Sequence, residues 1–486
     1  MAAACKKNGN GGGGNTARSQ QLPERPAGKK SLILNAFVES CSGHQSPGLW
    51  RHPEDRSAEF NDIEHWVDLA KLLEKSKFHG IFIADVLGGY DVYQGPKNLA
   101  PAIRSSAQWP VNEPLAVVSA MAAATKSISF GVTVATTYEQ PYHLARRLST
   151  IDHLSKGRFG WNIVTGYLDS AARNLINDEQ PAHDNRYEVA EEYIKVMYKL
   201  FNASWRDDAV IRDASKPPSG WFTDPERVRE INHVGKFYTV SGPHICQPSP
   251  QRTPLLLQAG TSQYGKLFAA QHAEAVFVAG HSPIAVAANI ADIRKSAQEK
   301  FGRDPQKIKF LAMFCPVLGK TEEEAKAKYE DYISYGPYGD DQELTQVESN
   351  AIRAAVEVWS KAMPGVDKWT KLTVARHLMI GGLGATPVGT ASQVADEMER
   401  WVTGADVDGF NIPYAIFLGS FVDVCGLLVP ELRKRGLFWE NYAVPGGTYR
   451  ENFYGLKGQK QPLDEHVASK YRWRAGVGKE EFRHPE

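Results

Sequence analysis

Polar residues stand at the ends of several apolar runs, and these are the places where chemistry can sit. Ser31 to Phe37 leads to Glu39, Cys41 and His44, and Gly80 to Ala84 ends at Asp85 with Tyr90 beyond. Ile128 to Val134 carries Thr133 and leads to Thr136, Thr137 and Tyr138. Arg158 to Ile163 carries Asn162 and leads to Thr165, Gly166 and Tyr167, while Pro254 to Gln258 runs into Ala259-Gly260-Thr261-Ser262. The set is polar and mostly uncharged. It holds no Lys nucleophile and no paired carboxylates of the kind used by aldolases and glycosidases. No His/Asp cluster with metal-like spacing occurs among these ends, so no metal is expected. Uncharged donors in a deep pocket are what a bound organic cofactor needs for orientation.

Gly260-Thr261-Ser262 is the best phosphate candidate, because small residues before a helix let free N–H groups approach an anion. The same three residues also read as an ordinary helix cap. Asp85 closes an apolar strand, where a loop hydrogen bond is the plainer role. His183-Asp184-Asn185-Arg186-Tyr187 opens a long helix. There His183 and Tyr187, one turn apart, could reach an anion together, or Asp184 and Asn185 could simply cap. His143 falls at a helix start, with a surface or a catalytic role, and Cys41 is either a redox thiol or inert packing.

The elements that must position these residues alternate along the chain. Besides the five runs above, Ala275 to Val278, Lys309 to Val317 and Gly409 to Pro413 bring the number of apolar runs to eight. They are continuous in apolar character, as strands covered on both faces should be. Helical periodicity lies between them: Ile63 to Leu73 after an Asn61 cap, Leu144 to Leu154, Arg186 to Leu200, Thr390 to Val402 and Val422 to Arg435. Eight strands alternating with helices predict a closed parallel sheet, the (β/α)8 TIM barrel, with insertions on its βα loops. A doubly wound open sheet fits less well, since no G-x-G-x-x-G follows the first strand. Residues 207–249, with a hairpin near Gly235 to Val240, and residues 335–385 interrupt the repeat as insertions. Residues 1–30, with Gly11 to Gly14, read as a disordered tail ahead of a single domain over 31–486.

Composition narrows the function classes. Lys+Arg and Asp+Glu both total 56 among 486 residues, and hydrophobic residues make up 42%. Zero formal charge argues against nucleic acid held by bulk charge. The five cysteines, at 5, 41, 246, 315 and 425, form no C-x-x-C pair and fit a reducing compartment. No apolar run approaches the roughly 20 residues that span a bilayer, so a cytoplasmic protein with no membrane partner is expected.

Several runs together resemble one family. They are Asn35-Ala36-Phe37, Gly48-Leu49-Trp50-Arg51-His52-Pro53, Phe82-Ile83-Ala84-Asp85, Arg146 to Arg158, Gly160 to Thr165, His183 to Tyr187, Ser249 to Pro254 and Gln258 to Ser262. In this order, over roughly residues 30 to 472, they resemble the bacterial-luciferase-like flavin monooxygenases. The similarity is to the branch acting on nitrilotriacetate, dibenzothiophene sulfone and long-chain alkanes. The resemblance implies a (β/α)8 barrel that receives reduced FMN from a separate NAD(P)H-dependent flavin reductase. It implies reaction with O2 through a C4a-(hydro)peroxyflavin that oxygenates a small molecule, and a homodimer or homotetramer. Position by position it implies FMN contacts at Asp85, Thr133, His183, Tyr187 and Ser262, the last three at the phosphate. Cys41, His44, Tyr90 and Gln108 match polar pocket positions of the alkane-oxidising members. Gly166-Tyr167 departs from their Ser-His, and tyrosine is no acid–base group near neutral pH. His143 is the candidate to replace that imidazole in part. Few Arg or Lys, beyond Arg51 and Arg104, stand near the strand ends, which favours a neutral or apolar substrate. Two other readings stay open: a deazaflavin-dependent oxidoreductase on the same barrel, and a flavin-binding protein without catalysis.

Overall fold

A period of two governs the first strand. Leu34, Ala36 and Val38 pack outward, while Ile33, Asn35, Phe37 and Glu39 alternate with them and face the opposite side. The same pattern recurs in every strand of a computed structural model, which describes residues 31–93, 95–176, 180–260, 262–336 and 370–485. The strands are β1 (Ile33–Glu39), β2 (Gly80–Ala84), β3 (Ser129–Ala135), β4 (Phe159–Val164), β5 (Leu255–Gln258), β6 (Ala275–Val278), β7 (Lys309–Met313) and β8 (Gly409–Ile412). Each is one of the eight apolar runs, shifted by at most two residues at its start. All pairings are parallel, and β1 pairs with both β2 and β8, so the sheet closes. This is the expected TIM barrel, and closure excludes the open sheet.

Helices cover the outer face: α1 (Ile63–Lys75), α2 (Leu115–Ala124), α3 (Pro141–Leu154), α4 (His183–Tyr198), α5 (Gln263–His272), α6 (Pro283–Phe301) and α7 (Ala391–Ala405). In α1, Trp66, Leu69, Ala70 and Leu73 form one buried stripe. Each fully buried side chain of Leu or Val size contributes roughly 1.5–3 kcal/mol. The expected Asn61 cap is not made: Asp62 is the cap residue, and Asn61 Oδ1 instead accepts from Asn112 Nδ2 at 2.7 Å. Thr390 does cap α7, in a capping box with Gln393. The last helical stretch, 419–434, widens into a π turn at Val424–Leu428. Pro430 follows at once and has no N–H to continue the regular ladder.

Inside the barrel, Ile33, Phe82, Leu255, Leu257, Phe277 and Leu311 form a second core. A C-terminal helix, Tyr449–Tyr454, closes its lower end, where Asn35 Nδ2 donates to Tyr449 Oη at 3.3 Å. Gly80 starts β2 because a Cβ there would come within 2.8 Å of that hydroxyl. Of the expected insertions, 207–249 does contain hairpins: Val210–Asp213 with Trp221–Thr223, and His233–Val234 with Thr239–Val240. Its place is a correction, however. It follows α4 and precedes β5, so it sits on an αβ connection, where Asp207 pairs with Arg472 of the C-terminal segment. The part of 335–385 that is described returns to the upper end, where Gly382 accepts from His281 Nε2 at 3.2 Å. The expected tail 1–30 and residues 337–369 of the second insertion lie outside the described residues. No helix among the described residues is long and apolar enough to cross a membrane.

Candidate active site

The C-terminal ends of β1 to β5 surround a cavity of about 460 Å³. This is the face on which (β/α)8 barrels build their sites. Inward-facing residues supply its floor: Phe37 from β1, Phe82 from β2, Thr133 from β3 and Asn162 from β4. Register holds Thr133 beside Asn162, whose Nδ2 donates to Thr133 Oγ1 at 2.9 Å. Among the described residues, Asn162 Oδ1 and, on β5, Gln258 Oε1 are buried without a hydrogen-bond partner.

On one side the wall is made by β5, α4 and α5. Ser262 is the N-cap of α5 and accepts from the Gly265 N–H at 3.1 Å. Tyr187, on the first turns of α4, shares a hydrogen bond with Ser262, and Arg186 also lines the cavity. Gly260 keeps this corner open. A Cβ there would collide with Gln258 Nε2 and stand 2.8 Å from Tyr187 Oη. A helix start, two hydroxyls and a guanidinium fit a phosphate. With Asn162 and Gln258 beside them, the set fits a phosphorylated organic cofactor of the FMN kind.

The other side is acidic. Glu39 is 2% exposed, and its Oε2 accepts from Gln108 Nε2 at 2.7 Å and from the Cys41 thiol at 3.5 Å. Gln108 makes that contact from a left-handed backbone, φ 50°, which costs a non-glycine residue about 1–3 kcal/mol. Burial pushes the Glu39 carboxyl up to about 7, against the lowering effect of its two donors. Asp85, next to β1 through the pairing of Glu39 with Ala84, is pushed to about 8 by burial and then by Glu39 and Glu113. His44 Nε2 lies 3.6 Å from Glu39 Oε2, but burial drops the imidazole to about 3, so it is neutral. Its ring stands edge-on to Phe37 at 4.4 Å. At the mouth, the hydroxyls of Tyr90 and Tyr167 meet at 2.6 Å, joining the loops after β2 and β4.

His44, Asp85, Tyr90, Gln108, Thr133, Tyr167, Tyr187 and Ser262 therefore share one cavity wall. Cys41 is not in that wall and reaches it only through Glu39. Burial, then the neighbouring carboxyl, raises its thiol, which makes it an unreactive S–H rather than a thiolate. His143 is not brought in either. Pro141 and Leu144 take the buried face of α3, so the side chain between them is exposed. His183 opens α4, but its side chain lies outside the described residues. Arg51 and Arg104 are exposed and off the wall; Arg186 is the guanidinium that lines it. The expectation of a site without paired carboxylates is corrected by Glu39 and Asp85. The signal was present: two carboxylates end neighbouring apolar strands, and parity points Glu39 inward. Among the described residues no group of three His, Cys, Asp or Glu could hold a metal ion.

Comparison with known proteins assigns the family. The luciferase-like monooxygenase family matches residues 43–407. The chain is 46% identical to dimethyl-sulfide monooxygenase of Hyphomicrobium sulfonivorans, over 93% of this chain and 96% of that one. It is 44% identical to long-chain alkane monooxygenase of Geobacillus thermodenitrificans, over 91% and 98%. The crystal structure of DmoA from Hyphomicrobium sulfonivorans superposes with a TM-score of 0.85 at 44% identity, covering 94% of this chain and 99% of that one. The chain belongs to the luciferase-like monooxygenase family, as a two-component FMN-dependent monooxygenase acting on a small organic substrate.

Proposed function

We propose that the cavity takes reduced FMN made by a separate NAD(P)H-dependent flavin reductase and oxygenates a small, uncharged organic molecule such as a sulfide or a hydrocarbon. Tyr187, Ser262 and His183 would hold the phosphate. Thr133 and Asp85 would meet the ribityl or ring end. Bound reduced flavin supplies the electrons that split O2, one oxygen atom going to the substrate and the other to water. The chain's own residues bind, orient and exclude water; the Tyr90–Tyr167 bridge narrows the mouth. One observation carries the reading. The phosphate-type corner at Gly260 and Ser262 and the apolar floor of Phe37 and Phe82 belong to a single cavity. The substrates named for the two similar monooxygenases, dimethyl sulfide and long-chain alkanes, are likewise uncharged. A cytoplasmic homodimer or homotetramer completes the proposal.

Titration with oxidised and with photoreduced FMN under argon tests it. Tighter binding of the reduced form is expected, with O2 uptake on admitting air. Binding of a deazaflavin in place of either FMN form would instead favour the deazaflavin oxidoreductase. Flavin binding with no O2 uptake would favour a non-catalytic flavin carrier.

A further inference from the structure

We propose that Tyr167, tied to Tyr90, sets the upper size limit on the substrate, so that the cavity takes short-chain uncharged molecules and excludes long alkyl chains. The proposal rests on the cavity being the flavin and substrate site, as put forward above, and narrows its substrate class.

Three ties fasten the loop after β2 to the segment after β4. Ser170 Oγ donates to the Gly89 carbonyl at 2.7 Å. Arg173 pairs with the buried Asp91. The hydroxyls of Tyr90 and Tyr167 make the third, at 2.6 Å. Around the first two the packing is tight. A Cβ on Gly88 would run into Ser170 and the backbone of Ala171, and one on Gly89 into Leu99 and Trp109. The tyrosines are the part free to swing, 40% and 59% exposed, with ring centroids 6.5 Å apart. Gly166, at φ 66° against the Tyr138 ring, makes the turn that brings Tyr167 to the cavity. Because β3 lies between β2 and β4, the bridge crosses above its end, where Thr133 forms the floor.

Volume gives the bridge its consequence. A drug-sized ligand takes a site of about 300 Å³ or more, and a flavin with its ribityl phosphate is a ligand of that size. The whole cavity measures about 460 Å³. With phosphate at Ser262 and the ring end at Asp85, little room is left for a substrate, and it lies among Phe37, His44 and the two tyrosines. A longer chain has to leave the cavity, and among the described residues the other sides are closed to it. Toward β1, Gln45 Nε2 meets His44 Nε2 at 3.0 Å, and Gly382 packs on Gln45 so closely that a Cβ would clash. Toward β5 stands the phosphate-type corner. Behind Asp85, Val86 and Leu87 lies a second cavity of about 450 Å³, but its wall carries Asp91, Lys97, Glu113 and Arg173. An alkyl tail there would strip water from charged groups and offer them no partner. The outlet that remains is the one the tyrosines bridge. Their rings block it by bulk, and the hydrogen bond holds that bulk in place.

Binding of dimethyl sulfoxide and dibutyl sulfoxide to the flavin-loaded chain tests this, by ligand-observed NMR with reduced FMN under argon. In the wild type dimethyl sulfoxide should bind at least roughly tenfold more tightly, the scale on which a shaped pocket discriminates methylenes. Tyr167→Ala should tighten dibutyl sulfoxide binding by roughly tenfold. Tyr167→Phe and Tyr90→Phe keep the ring and lose the bridge, so each should show part of that gain. The double variant should gain no more than either, because both remove one shared hydrogen bond. Dibutyl sulfoxide binding as tightly as dimethyl sulfoxide in the wild type, or gaining nothing in Y167A, overturns the proposal. So does an equal gain in Tyr142→Ala, an exposed tyrosine off the cavity wall. Reduced-FMN binding is read on the same samples. Its absence in the wild type refutes the functional reading itself, whereas normal FMN binding with no gain in Y167A refutes this proposal alone.

Discussion

Glu274 and Glu39 are carboxyls buried to the same degree, 1% and 2% exposed, at opposite ends of one barrel. At the lower end, Glu274 takes Arg450 Nε and Nη2, both at 2.7 Å, and the Leu256 N–H. Burial alone would raise its pKa, but the guanidinium outweighs burial and holds it below the usual carboxylate range. At the upper end Glu39 has no such cation among the described residues, and burial wins. The difference teaches what each end is for. A buried charge with a complete set of partners is finished structure. A buried acid without such a cation, next to a cavity, is the kind of perturbed group that functional sites carry.

The comparison breaks most severely at the lower end. Arg450→Met strands Glu274 as a buried unpaired charge, and about 3–5 kcal/mol of unfolding free energy should be lost in urea titration. The double variant Arg450→Met with Glu274→Met should recover most of that. If the double variant is as unstable as the single, the pair is not what holds the plug.

Opposite pH responses sharpen it next. Glu39 moves from an ordinary 4.5 to about 7, so its favourable contribution is complete below pH 4.5 and lost as pH rises through about 7. Above that pH the wild type carries a cost on the order of 3 kcal/mol, which E39Q lacks. Glu274 lies on the other side of its ordinary value, so its contribution is present above pH 4.5 and lost as pH falls. Stability curves of E39Q and the wild type that run parallel from pH 5 to 9 would show that Glu39 is ionised in the fold.

Ser262→Ala separates cap from ligand site. Loss of the α5 N-cap should cost about 0.5–2 kcal/mol of stability, and reduced-FMN affinity should fall roughly tenfold if the hydroxyl also meets phosphate. A loss of stability with unchanged FMN affinity would leave only the cap. The smallest effect is expected at His143, exposed on α3. His143→Ala should change stability by less than about 0.5 kcal/mol and leave turnover unchanged. A large drop in turnover would return the imidazole to the site.

Much of this was legible in the chain. The eight strands follow from apolar runs of the right length, and strand-end polarity points to Asp85, Tyr90 and Ser262, which the structure brings to one cavity. Local grammar failed where a distant partner competed. Asn61 reads as a cap, but Asn112, 51 residues away, takes its side chain. His143, at a helix start, reads as either a surface or a catalytic residue, and the packing of Pro141 and Leu144 turns it outward.

By itself the sequence determined the barrel, its inward and outward parity, and the face on which the site lies, because hydrophobic periodicity is a local property that burial on both faces must obey. Tertiary structure alone decided which buried acid is paired. Arg450 meets Glu274 across 176 positions of chain, while among the described residues the ion-pair partner of Glu39 is His44, which burial keeps neutral. Ionisation depends on the dielectric and partners at a point in space, and neither is written in neighbouring residues.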